Sequence, residues 1–193
     1  MTEYSNFREI NEIESKIISK SLFNIFPKLF EFLKRSEQKL YISLRNLNLK
    51  TNYPTLYLIS NIFRKDIDLI ETKGNIYSAG LYFGFIKKGN FYLSLEGAEF
   101  LYRRGIIPGI KHICVNKKGE KSILYGNNIL KSTVIKMPLN LQEKDLLLVI
   151  NEMNEILAIA QSKVKSKIIT QLKSEDIIAL NLNDKGIYLR EKQ

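Results

Sequence analysis

Apolar positions along the chain change period several times. From Phe7 to Arg35, the residues Ile10, Ile13, Ile17, Ile18, Leu22, Phe23, Phe26, Leu29, Phe30 and Leu33 recur at helical intervals. That spacing predicts two helices separated near Ser19 to Ser21, the second holding Pro27 near its first turn or bending there. "KLYISLR" and "TLYLIS" then read as strands rich in β-branched and aromatic residues, joined by a polar loop containing Asn52 and Pro54. A helix is predicted over Asn61 to Glu71. "GLYFGFIKKGNFYLSL" reads as a β-hairpin, because Gly89-Asn90 can take the positive φ values a tight turn demands. "LEGAEFLYRR" follows as a short amphipathic helix stopped by Gly105.

The stretch "GIIPGI" at 105–110 packs two glycines and a proline into six residues. It predicts a linker, and so two domains, 1–107 and 108–193. Beyond it nearly every segment has strand character: "KHICV", "KSILYG", "STVIKM", "DLLLVIN", "EILAIAQSKV", "DIIALNL" and "GIYLRE". Short strands separated by Asn, Gly, Pro and Asp describe a small mixed β barrel with little room for helix. Within it, "VINEMNEILAIAQ" reads as a hairpin with a polar turn. The fold class expected is α+β, an N-terminal α/β domain followed by a β-rich one.

Charge adds the first functional indication. The 193 residues carry 30 Lys+Arg against 20 Asp+Glu, a net +10. Such a surplus points to a polyanionic partner, nucleic acid or an anionic membrane face, against the alternative of a lysine surface that serves solubility. Cys114 is the single cysteine, which excludes an intrachain disulfide and a zinc knuckle and fits a reducing compartment. The N-terminus lacks an apolar signal-like core, and "LLLVI" at 146–150 is too short to span a bilayer. A soluble, cytoplasmic protein without a membrane partner is expected.

Chemistry-bearing motifs are sparse. No phosphate-binding glycine loop, nucleophile elbow or zinc-protease motif occurs. His112 is the single histidine. Strand alternation places it on the same side as Cys114, an arrangement that reads as packing rather than a catalytic pair. Glu175 with Asp176, and Glu152 with Glu155, read as solvated turn residues. The sequence therefore predicts no catalytic residue, no metal ligand and no cofactor.

The basic residues are better organised. Arg103, Arg104, Lys111, Lys117, Lys118 and Lys121 stand against the single acid Glu120 between 103 and 121. In "SKVKSK", Lys163, Lys165 and Lys167 fall at every second position. An extended strand would send all three to one face about 7 Å apart, near the phosphate spacing of an extended nucleic acid. The alternative is an edge strand whose lysines block sheet-to-sheet pairing.

"SILYGNNILKS", the hairpin "LLLVINEMNEILAIAQS" and the closing "DKGIYLR" together resemble a PUA domain, an RNA-binding pseudo-barrel. The resemblance implies a cleft wall made by a strand, a glycine and a short helix ending in a basic residue. Gly126 would permit close backbone approach, Asn127 would cap the short helix and Lys131 would face phosphate beside Ser132. Thr133 stands where PUA domains usually carry a glycine. From about Leu56 to Arg190, "AGLYFGFIKKGNFYLSLEGAEFLYRRG" followed by "KSILYGNNILKS" is similar in order and spacing to the archaeal branch of the nuclear import protein seven family of ribosome-assembly factors. Phe85 replaces a lysine common there.

That resemblance implies an α/β N-terminal domain, a C-terminal PUA domain and a role in large-subunit ribosomal RNA maturation. Lys163, Lys165 and Lys167 answer best to the family's basic RNA-binding side chains. The expected function is a non-catalytic, monomeric RNA-binding factor in large-subunit biogenesis and pre-rRNA processing. Its PUA domain would hold single-stranded ribosomal RNA, while N-terminal aromatics such as Tyr82, Phe83, Phe91 and Tyr92 dock assembly proteins. The alternatives are the targeting module of an RNA-modifying enzyme and a protein-binding scaffold.

Overall fold

The computed structural model describes residues 7–44, 53–73, 76, 78–107 and 110–190. The chain divides into two compact units, Met1–Pro108 and Gly109–Gln193, and its class is α+β.

Among the described residues of the first unit, five antiparallel strands run in sequence order: β1 (Phe7–Glu9), β2 (Gln38–Ser43), β3 (Thr55–Ser60), β4 (Leu81–Lys87) and β5 (Asn90–Leu93). The helical pattern of the first 35 residues resolves into α1 (Glu12–Leu22) and α2 (Leu29–Arg35). The break falls after Leu22 rather than near Ser19, and Pro27 precedes α2. Phe7 opens a strand that sequence period did not reveal, because three residues are too few to establish alternation. Asn11 starts α1 with a capping box: its side chain accepts from Glu14 N–H at 2.9 Å, and the Glu14 carboxylate accepts from Asn11 N–H at 2.8 Å. A short 3-10 turn (Asn61–Phe63) leads into α3 (Arg64–Lys73). The polar loop containing Asn52 lies outside the described residues.

The β4–β5 turn sits one residue earlier than expected. Lys88 (φ 49°) and Gly89 (φ 72°) take the positive φ values, and Asn90 already belongs to β5. Ser94 then caps α4 (Leu95–Arg103) by accepting from Gly97 N–H at 2.9 Å, while its hydroxyl donates to the Tyr82 carbonyl at 2.7 Å. A Cβ on Gly97 would lie 2.8 Å from the Phe83 carbonyl oxygen, so glycine lets α4 press directly onto β4.

This packing corrects one expectation. Phe83 and Phe91 stack on each other and are buried beneath α4 and α1, where Ser21 Oγ accepts from Phe91 N–H at 2.9 Å. They fill the core rather than dock a partner. The opposite sheet face carries Phe7, Tyr41 and Ile59 under Ile67 of α3.

In the second unit, the described strands form one sheet in the order β7 (Ile129–Leu130), β11 (Ile177–Asp184), β10 (Ile156–Ser162), β9 (Leu146–Ile150), β6 (Lys111–Val115) and β8 (Val134–Lys136). The pairings are antiparallel except β6 with β9, which is parallel. Ile113, Val115, Ile123, Leu147, Val149, Leu157, Ala158 and Ala179 fill its core. The β9–β10 hairpin forms as expected, with Asn151 Oδ1 accepting from Met153 and Glu155 N–H groups at 3.0 and 2.9 Å.

Two predicted strands are helical. "KSILYG" belongs to α5 (Lys117–Leu124), and "GIYLRE" to the helical turn α6 (Ile187–Arg190). In α5, Gly119 and Ile123 face inward four residues apart, while the lysines face solvent. Among the described residues, no helix is long and apolar enough to cross a membrane.

Candidate nucleic-acid interface

The junction that follows α5 is built from hydrogen bonds the sequence specifies locally. Tyr125 is the C-cap; Gly126, at φ 86°, donates its N–H to the Ile123 carbonyl at 2.8 Å, and Asn127 donates its N–H to the Ser122 carbonyl at 3.2 Å. That pair of bonds is a Schellman motif, with the left-handed position taken by glycine. Gly126 therefore ends a helix, and Asn127 lies past its C-terminus rather than capping a following one. The N-cap of α5 is Asn116, whose side chain accepts from Gly119 N–H at 2.9 Å.

A second layer locks this corner. Asp184 holds Arg190 through two 3.0 Å bonds and accepts from Gly186 N–H at 2.9 Å. Arg190 in turn donates to the Leu124 carbonyl, one of those left unpaired at the end of α5. The hydrogen bond to Asp184 raises the Arg190 pKa, against a smaller opposing effect of burial. A Cβ on Gly126 would stand 3.1 Å from the Arg190 guanidinium carbon. What approaches Gly126 closely is thus the chain's own arginine. Asn181 completes the corner, donating through Nδ2 to the carbonyls of Ile123 and Asn127 at 3.3 and 3.2 Å.

Lys131 and Ser132 lie in a 3-10 turn (Lys131–Thr133). Their N–H groups donate to the Asp176 and Ser174 carbonyls at 2.9 and 3.0 Å, and Lys131 Nζ donates to the Leu172 carbonyl. The ammonium expected to face phosphate is half-buried and holds the 172–176 turn in place. Ser132 is exposed.

The lysine row is shorter than the sequence predicted. Lys163 and Lys165 are exposed on either side of Val164, which is buried with its N–H and C=O both bonded to the Ser162 hydroxyl. The backbone then turns into a 3-10 segment (Ser166–Gln171), where the Leu141 carbonyl accepts from Ser166 N–H and the Leu139 carbonyl from its hydroxyl. Lys167 is exposed but leaves the alternating face. Lys144, which sequence reading passed over, joins Lys163 instead: its N–H bonds the Ser162 carbonyl at 2.8 Å at positive φ, and its side chain is exposed beside Glu143.

The 103–121 cluster separates into engaged and exposed members. Arg103 pairs with Glu99 at 2.6 Å, Arg104 lies over the Phe100 ring, and Lys111 pairs with Asp145 at 2.5 Å. Lys117, Lys118 and Lys121 are exposed on α5. Positions 117, 121 and 125 share one helical stripe, which ends in Tyr125, 67% exposed at the C-cap. Two ammonium groups leading to an open aromatic ring suit a phosphate backbone with an unpaired base. Reading "KSILYG" as a strand concealed that stripe.

Residues 111–193 match the UPF0113 PUA domain. The second unit is a PUA domain. A UPF0113 protein of Archaeoglobus fulgidus is 29% identical to this chain over 119 residues, which span 62% of this chain and 65% of that protein. Among solved structures, a PUA domain protein from Aeropyrum pernix superposes with TM-score 0.64 at 13% identity, covering 96% of this chain and 89% of the other. A PUA domain protein from Thermoplasma acidophilum gives TM-score 0.58 at 14% identity, covering 96% and 98%. At those identities the likeness is one of fold.

Proposed function

We propose that this chain is a non-catalytic RNA-binding factor whose PUA domain grips single-stranded ribosomal RNA during assembly of the large ribosomal subunit. The observation that carries RNA binding is the α5 stripe: Lys117, Lys121 and Tyr125 are exposed in line on a PUA fold. Lys163, Lys165 and Lys144 add exposed cations at the end of the β9–β10 pair, where β9 starts and β10 finishes. Assignment to the large subunit, and docking of assembly proteins on the N-terminal unit, follow from the resemblance of "GLYFGFIKKGNFYLSLEGAEF" and "SILYGNNILKS" to nuclear import protein seven.

The test is a salt titration of binding to short single-stranded RNA. Each phosphate contact contributes about 0.7 to the log–log slope for single strands. A Lys163→Ala, Lys165→Ala, Lys167→Ala variant should lose about 1.4, two contacts' worth, because Lys167 leaves the row. A Lys117→Ala, Lys121→Ala variant should lose a similar amount. Absence of binding at any salt concentration would overturn RNA binding in favour of a protein scaffold, and binding without a salt slope would remove the phosphate contacts.

A further inference from the structure

The sheet face opposite α4 in the first unit carries an aromatic row. Tyr53 stacks on Phe85 with centroids 5.7 Å apart and planes 27° apart, and Phe85 stacks on its cross-strand partner Tyr92 at 5.1 Å and 11°. Tyr57 and Tyr82 are likewise cross-strand partners on this face, with centroids 5.9 Å apart. Where Phe7 and Tyr41 of the same sheet are buried under α3, Tyr53, Phe85, Tyr57 and Tyr82 are half-buried and Tyr92 is 46% exposed on the edge strand β5.

Cations border this row. Lys87 Nζ lies 4.7 Å from the centroid of the Tyr53 ring, and Lys88 is exposed at the hairpin turn. The hairpin from Gly80 to Ser94 contains these two lysines and no carboxylate. Half-exposed ring faces with adjacent ammonium groups complement a flat, neutral base attached to an anionic phosphate.

We infer that the β4–β5 face of the N-terminal unit is a second single-stranded RNA platform, on which an unpaired base stacks against Tyr92 while Lys87 and Lys88 meet the flanking phosphates. The platform belongs to the first unit, so its contribution persists when Lys163 and Lys165 of the second are removed.

The experiment uses the full chain and fluorescein-labelled oligouridine and oligoadenine decamers, read by anisotropy, in wild-type and in Lys163→Ala, Lys165→Ala backgrounds. Tyr92→Leu, which keeps apolar bulk but removes the ring, should weaken binding about 5- to 30-fold in both backgrounds. Tyr92→Phe should stay within about 2-fold, since the π face is retained. Photo-crosslinking of the wild-type chain to 5-iodouridine RNA should place adducts on the peptides holding Tyr92 or Tyr53, a readout independent of whether a variant folds. A Tyr92→Leu chain that binds like wild type, or adducts confined to residues 111–193, would overturn the platform and leave this face to a protein partner. Loss of binding in the lysine background with no Tyr92 dependence would overturn it while leaving the PUA reading intact.

Discussion

Gly126 distinguishes a helix terminator from a ligand-approach residue, and Gly126→Ala separates the two. Its φ of 86° places it in the left-handed region, where an L-residue with a Cβ costs about 1–2 kcal/mol. The new Cβ would also stand 3.1 Å from the Arg190 guanidinium carbon. That neighbour is the far end of a flexible side chain and can yield, so the total should stay near about 2 kcal/mol. For a unit of this size, such a loss lowers the melting temperature by about 5–15 °C. Far-UV circular dichroism of the full chain reads the melt. Hydrogen exchange reads the amides of residues 126 and 127, which bond the Ile123 and Ser122 carbonyls. Both amides should exchange faster in Gly126→Ala, and Gly126→Asn should recover part of the loss, because asparagine tolerates the left-handed region. A Gly126→Ala chain that melts like wild type with both amides protected, yet loses RNA affinity, would refute the Schellman assignment.

Further outcomes follow from the same geometry. Burial disfavours the charged form of Glu14, but hydrogen bonds from Arg8 and from Asn11 N–H outweigh it and hold the carboxyl below its usual range. The unfolded state therefore binds this proton at higher pH than the folded state. Stability from the Arg8–Glu14 pair should be present above the ordinary carboxylate range and fade as pH falls through the folded value; acid unfolding of Glu14→Gln, lacking that component, checks it. Tyr125→Ala should leave the unfolding free energy within about 0.5 kcal/mol of wild type, as befits a side chain 67% exposed, while RNA affinity drops about 5-fold or more. Unchanged affinity would remove Tyr125 from the interface. Gly186→Ala should cost about 2 kcal/mol or more in a urea titration, because its Cβ would fall 1.8 Å from the Leu124 carbonyl oxygen and two backbones would have to part.

The strands whose alternation runs for five residues or more were readable from the sequence, as were α1, α3 and α4. The errors fall where tertiary contact overrides local pattern. Gly119 inside α5 looks like a helix breaker, yet a Cβ there would meet Thr133 Cβ at 2.7 Å and Val115 Cβ at 3.0 Å. The helix needs the glycine in order to pack, and that need is invisible without the fold. Asn116, three residues before Gly119, was the local cue to a helix start. The lysine row failed at Ser166, whose backbone and hydroxyl are captured by carbonyls about 25 residues earlier in the chain, a long-range competition that periodicity cannot register. Lys131 was legible as a basic residue beside the candidate cleft, but its bond to the Leu172 carbonyl depends on how the 172–176 turn folds back.

The place of β11 in the sheet has a consequence for the order in which the protein is made. This strand lies between β7 and β10, and the segment immediately after it delivers Arg190 to the end of α5. A nascent chain that has emerged only as far as Leu172 holds β6, β8, β9 and β10 but leaves β7 without its neighbour and the flank of β10 unpaired. That exposed strand edge lasts until residues 177–190 clear the ribosome. Completion of the corner that Arg190 locks is thereby tied to the emergence of residues 177–190, and products truncated before them should be the aggregation-prone species in a cell making this protein.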